Sequence, residues 1–195
     1  MRKNLIVLFL VVLFVAAGTV VTGTAKAALI DNGNNLIYDT VLKITWYDPA
    51  PTEMTWTYAT TVWAPSLTVG GTTAGSWTLP TTPGVTFGYT NEGEMGFLYY
   101  SELGNTAGGP LAHIGVFNLL PADYWSGREY APNTSFAWVF QFADGDQALD
   151  YKFINGYALA VHSGDVGAPV PIPGAVLLFA PGLFGLAAMR RRFRK

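Results

Sequence analysis

Three groups of residues in this 195-residue chain have types and spacings that bear on chemistry. Asp144-Gly145-Asp146 with Asp150 offers oxygen donors at a spacing partly like a calcium loop, although the full EF-hand pattern is absent. The competing reading is a polar hairpin between a strand ending at Phe142 and the segment Tyr151-Lys152-Phe153. His162-Ser163-Gly164-Asp165 contains the residue types of a hydrolytic triad, but neighbours in a chain seldom adopt triad geometry. The other histidine, His113, sits in a glycine-rich stretch. Glu92 and Glu94 lie too near a helix start to form a separated acid–base pair, and carboxylates there favour the helix dipole. No histidine pair at helical spacing, nucleophile elbow or phosphate-cradling loop occurs. The chain has no cysteine, which excludes disulfides, thiol catalysis and cysteine-ligated metals. The expectation is a non-enzymatic protein, with calcium as its one candidate cofactor and a surface hydrolase as an alternative.

Binding chemistry has more material. Between Ala28 and Pro169 the chain carries 23 aromatic residues, including all six Trp and all ten Tyr. Exposed aromatic rings stack on the apolar faces of sugars while polar neighbours orient the hydroxyls. Tyr89, Trp125 and Tyr130 are the candidates, because nearby Gly, Pro and Asn suggest loop edges. Trp56, Trp63, Trp77 and Trp138 are expected to fill the core.

Charge divides the chain sharply. All thirteen acidic residues fall between Asp31 and Asp165 against three basic ones, Lys43, Arg128 and Lys152, a central charge of −10. That disfavours nucleic acid, and it repels acidic polymers unless divalent cations bridge them, so a neutral polysaccharide is the easier ligand. The remaining basic residues cluster at the ends. Arg2 and Lys3 precede an apolar run from Leu5 to Ala17 and a small-x-small site at Ala25-Lys26-Ala27, the three parts of a secretory signal. Residues 1–27 are therefore expected to pass through the secretion translocon and be removed. At the other end Val170-Pro171-Ile172-Pro173 leads into an apolar stretch ending at Met189, then Arg190, Arg191, Arg192, Arg194 and Lys195. Ala175 to Met189 would extend about 22 Å as a helix, a marginal transmembrane span that leaves the arginines cytoplasmic.

The elements that must position the aromatics follow from periodicity. Leu36 to Trp46 reads as one or two strands broken near Asp39-Thr40. Thr55 caps a helix carrying Trp56, Ala59, Val62 and Trp63 that ends near Pro65. A second helix spans Glu92 to Leu103 and stops at Gly104. Strands follow at Asp123 to Gly127, Phe136 to Phe142 and Tyr157 to Val161, with a turn at Ala143 to Asp146. Helices early and strands late indicate one α+β domain over residues 28–163, with a linker at 164–169 and the tail at 170–195.

The short proline motif, apolar stretch and arginine cluster together resemble the PEP-CTERM sorting signals, closest to the variant with Val-Pro-Leu-Pro. Ile172 stands at the position of the namesake glutamate. The resemblance implies a bacterial protein handled by an exosortase, held in the membrane by its tail and then released to the cell surface or extracellular matrix, often alongside exopolysaccharide. The central domain resembles the Lcl C-terminal-type domain. The shared signposts are Asp39 to Trp46, Met54-Thr55-Trp56, Trp77-Thr78-Leu79-Pro80-Thr81, Glu94-Met95-Gly96, Tyr124-Trp125-Ser126-Gly127, Ala137-Trp138 and Tyr157 to Val161. Thr78 replaces an arginine common in that family. The same signposts are similar to those of the C-type-lectin-like and formylglycine-generating group, which implies a C-type-lectin-like core and a calcium-dependent lectin as an alternative function. Formylglycine-type oxidation needs cysteines that this chain lacks. These readings predict a mature chain that begins at Ala28 and loses its tail after about Pro173. Intact mass from hosts with and without the exosortase checks this; a species keeping Arg190 to Lys195 in both strains overturns it.

Overall fold

The computed structural model describes residues 29–84 and 86–168. The leader, the Val170–Pro173 motif, the apolar tail and the Arg190–Lys195 cluster lie outside the described residues. Within them, ten strands and two short helices form an α+β arrangement with mainly antiparallel sheets.

The first sheet has the order β1-β2-β3-β10: β1 is Leu29–Gly33, β2 Leu36–Asp39, β3 Ile44–Tyr47 and β10 Ala160–Ser163. The hairpin between β1 and β2 turns on Asn34 and Asn35, both at positive φ, which suits the twist of a two-residue turn. The break expected after Asp39 is a tight turn. Asp39 Oδ1 accepts from the Val41 and Leu42 amides at 2.9 and 2.8 Å, which ties that turn to the end of β2. β10 then pairs with β3, Val161 opposite Trp46, and so joins the late part of the described residues to the early part. The expected linker, from residue 164, starts packed against this sheet. The buried Thr45 hydroxyl donates to the Gly164 carbonyl at 2.7 Å and accepts from the Val166 amide at 2.9 Å, and the Val166 side chain is buried.

The first helix starts at Thr55, whose hydroxyl accepts from the Tyr58 amide. One α-turn, Trp56–Tyr58, widens into a π-type turn over Ala59–Trp63 and closes with Ala64–Ser66. Ala59 and Ala64 are buried, whereas Val62, expected inside, is exposed. The second helix runs Gly93–Phe97 and then Leu98–Glu102, again through a π-type turn. Met95, Leu98 and Tyr99 face the core. Its start is clamped by the Leu79-Pro80-Thr81 segment: the Glu94 carboxylate accepts from both the amide and hydroxyl of Thr81, and the Glu94 amide donates to the Thr81 carbonyl. Glu94 thus lies in the first turn, as its charge favours.

Met54–Thr55 (β4) pairs with Asn155–Gly156 (β9). The last sheet has the order β5-β8-β7-β6: Gly88–Tyr89, Asp146–Tyr151, Phe136–Gln141 and Asp123–Glu129. Strands β1 and β8 were not expected, the latter because its two ends are polar. Two apolar clusters fill the space between elements. One gathers Trp46, Leu98, Tyr99, Tyr124, Phe140 and Phe142; the other gathers Trp77, Leu79, Trp125, Ala137 and Val139.

Two buried carboxylates bear on stability. Asp48 accepts from the Asn118 amide, yet burial outweighs that bond and pushes its pKa up to about 6. Glu102, in the last turn of the second helix, has both carboxylate oxygens buried without a partner. Burial, with the Asp39 charge nearby, pushes its pKa up to about 7 from 4.5. Between those two values the folded chain holds a proton that the unfolded chain has released. Stability therefore falls as pH rises through that window. Glu102→Gln should raise the thermal midpoint at pH 8 and flatten its decline between pH 5 and 8. Thermal unfolding at both pH values measures this, and an unchanged slope would mean that water already reaches the carboxylate.

Candidate aromatic binding face

Strand β7 builds the site. Side chains alternate along a strand, so Phe136, Trp138 and Phe140 share one face, and Ala137 and Val139 share the other. Register with β8 sets Phe136 opposite Tyr151 and Trp138 opposite Leu149. At its Phe140 end this face is covered by the second helix, with the Tyr99 ring 5.6 Å from Phe140. Towards Phe136 the cover ends and the rings come to the surface. Phe136 and Tyr151 lie 4.1 Å apart, and Tyr151 stacks on Phe153 at 5.2 Å with 29° between planes. Phe153 is 74% exposed and Tyr151 44%.

At the middle of the strand the same face forms the floor of a cleft. Phe87 lies 4.7 Å from Trp138, and Tyr130 lies 5.9 Å from Trp138 and 6.3 Å from Phe87. These rings, with Gly84, Arg128 and Glu129, line an open cleft of about 390 Å³. That volume is within the range of small-ligand sites. Trp138 is buried, but its indole N–H has no acceptor, an unusual state for a buried donor. From Phe153 to Phe87 the aromatic path is on the order of 20 Å long, since Phe136 and Trp138 are separated by two residues of extended strand.

Local charge differs from that of the domain. Glu129 is ion-paired with Lys152, which also lies 4.3 Å from the Trp56 ring centroid. Arg128 has no carboxylate partner among the described residues. It reaches the Thr82 carbonyl at 3.4 Å and lies across Gly84, where a Cβ would collide with its Nε and Cδ. Glycine at φ +71° lets the loop pass beneath the guanidinium. The cleft therefore presents hydrogen-bond donors beside aromatic faces, a combination suited to a ligand rich in hydroxyl and ether oxygens.

The expected sugar-binding residues separate. Tyr130 lines the cleft. Tyr89 is exposed on β5, but its hydroxyl reaches Asp144 at 3.5 Å and it is not among the cleft residues. Trp125 is corrected outright: it is 1% exposed on β6, and its indole donates to the Met54 carbonyl at 2.9 Å. Nearby glycine suggested a loop edge, but the strand runs on to Glu129, and a Cβ on Gly127 would meet the Leu79 carbonyl at 3.1 Å. Trp77 and Trp138 are buried as expected, whereas Trp56 and Trp63 are only half-buried. Phe87, Phe136, Tyr151, Phe153 and Arg128 were not singled out by sequence. The Phe136, Trp138, Phe140 alternation was the signal that could have found part of the face.

The acidic group also disperses. Asp144 Oδ1 accepts from the Asp146 amide at 3.1 Å, closing the turn. Asp146 begins β8, and its carboxyl is held above the usual range by burial and by the Asp144 charge. Asp150 lies four residues further along the same strand, about 13 Å away at the rise of an extended chain, and accepts from the Tyr151 amide. Among the described residues no three Asp, Glu or His side chains gather to hold a metal ion. The His162 sequence disperses likewise. His162 packs 5.2 Å from Trp77 with its Nδ1 at the Ser163 carbonyl, while Asp165 accepts from Asn32. His113 is exposed, and its backbone is bound by Asn105.

No protein-family model matches this chain, and no curated protein matches it. The geometry itself separates structural from surface aromatics. Trp125→Ala should cost about 3–5 kcal/mol of stability. Phe153→Ala and Tyr151→Ala should each stay within about 0.5 kcal/mol. Urea unfolding of the three variants measures the contrast; equal losses would mean that the surface rings belong to the core.

Proposed function

We propose that this is an exported, non-enzymatic protein of the cell surface or extracellular matrix that holds polysaccharide on the aromatic face of β7 and β8. The observation that carries the reading is the row of rings along β7 from Phe153 to Phe87, with the Arg128 guanidinium at the cleft end. Stacking needs such faces, and orientation needs donors that the protein has not already satisfied. The role is structural or adhesive. The leader directs export, and the PEP-CTERM-like tail hands the chain to an exosortase. Supporting a C-type-lectin-like core are the β3–β10 pairing of early and late strands, two helices between them, and a separate antiparallel sheet towards the end.

A neutral polysaccharide is the ligand in this reading, given the domain charge of −10. In this reading binding does not depend on calcium, and the separation of Asp150 from Asp144 and Asp146 supports that. Retention on immobilised neutral glycans should therefore persist in chelator. Phe87→Ala and Tyr130→Ala should each weaken it roughly two- to tenfold. Retention lost on chelation would transfer the function to a calcium-dependent lectin site. Retention unaffected by either substitution would remove the aromatic face from the account.

A further inference from the structure

A second cleft, of about 230 Å³, lies by the start of the first helix and the end of β3. Its walls include Tyr47, Tyr58 and Trp63, with Met54 and Ala158 also lining it. Tyr47 and Trp63 are nearly parallel, with 25° between planes and 6.4 Å between centroids. Tyr58 is half exposed. The one charged lining residue is Glu53, and no cation pairs with it among the described residues. Tyr157 lies beside Glu53, whose charge adds to burial in raising the phenol's pKa.

This cleft is opposite in polarity to the one at Trp138. It has no Lys, Arg, His, Asn or Gln in its lining, and the Thr52 hydroxyl already donates to the Ala50 carbonyl at 3.3 Å. What it offers is aromatic rings, whose faces are negative at their centres, and a carboxylate. Those features attract a cation with an apolar surface, which gains from the ring quadrupoles without needing hydrogen-bond donors from the protein. The surrounding charge of −10 acts in the same direction.

We infer that the Tyr47–Tyr58–Trp63 cleft binds an alkylated ammonium group, with Glu53 as its counter-charge. The purified protein is titrated calorimetrically with choline, tetramethylammonium and the uncharged carbon isostere of choline, dimethylbutanol. Choline and tetramethylammonium should bind, and the isostere should bind at least tenfold more weakly. Tyr58→Ala, at an exposed ring, should weaken choline roughly three- to tenfold without moving the thermal midpoint. Glu53→Gln should weaken it as well and reduce its dependence on salt. Tyr130→Ala should leave it unchanged, which keeps this site distinct from the polysaccharide face. Comparing phosphocholine with a trimethyl-lysine peptide then shows which carrier of the group fits better. Equal binding of choline and its isostere would reduce the cleft to an apolar depression. No heat from any ammonium ion, or displacement of choline by a neutral oligosaccharide, would overturn the inference.

Discussion

The antiparallel pairing of β3 with β10 sets the positions of nearly everything else. It joins residues more than a hundred positions apart, and both helices and the last sheet are held within the loop that it closes. Loop closure over such a length has an entropic cost that grows only slowly with length, so a few well-made contacts can sustain it. Those contacts are concentrated. Trp46 and Val161 face each other across the ladder, Thr78 extends it on the far side of β10, and the Thr45 hydroxyl binds the chain after β10 twice. Because β10 is fixed there, Tyr157 just before it can bind β6 through two backbone hydrogen bonds, linking the first sheet to the last.

From that junction the aromatic face follows by geometry. β6 is fixed by Tyr157, β7 by β6, and β8 by β7, with registers that leave one side of β7 only partly covered. The second helix covers the Phe140 end, where the Gln147 side-chain Nε2 donates to the Glu92 carbonyl at 3.0 Å. Towards Phe136 the rings of Tyr151 and Phe153 are exposed instead. Trp56 anchors the opposite side: its indole donates to Ser126 at 2.8 Å, and its amide donates to the Lys152 carbonyl. That holds the Lys152–Glu129 pair at the cleft's rim.

Much of this frame was legible in the residues. Thr55 as a cap, Gly104 at φ +70° after the second helix and the Asp39 break are local signals with local causes, and each one fell where the structure has it. β1 was missed because Leu29–Gly33 is largely exposed and shows no apolar alternation; the Asn34-Asn35 turn was its one readable mark. β8 was missed because its inward residues include Gln147, a polar side chain that is fully buried. The site was legible only in part. Spacing along the sequence grouped Asp144, Asp146 and Asp150, but an extended strand separates what a loop would gather. Trp125 and Trp138 look alike in sequence. Only cross-strand register shows that one donates inward to Met54 while the other forms the floor of a cleft.

The Thr45 clasp also determines how the domain would answer to tension. Asn32 binds both Asp165 and the Val166 carbonyl, and a Cβ on Gly167 would meet the Leu36 side chain at 2.7 Å, so the chain after β10 lies along the first hairpin. A pull transmitted through residue 168 meets these contacts one after another: Val166 with its bonds to Asn32 and Thr45, then Asp165 with Asn32, then Gly164 with Thr45, and only then the strand itself. The load is taken by peeling, bond by bond. The rings around Phe136 stand on another sheet and keep their arrangement while the first contacts give way.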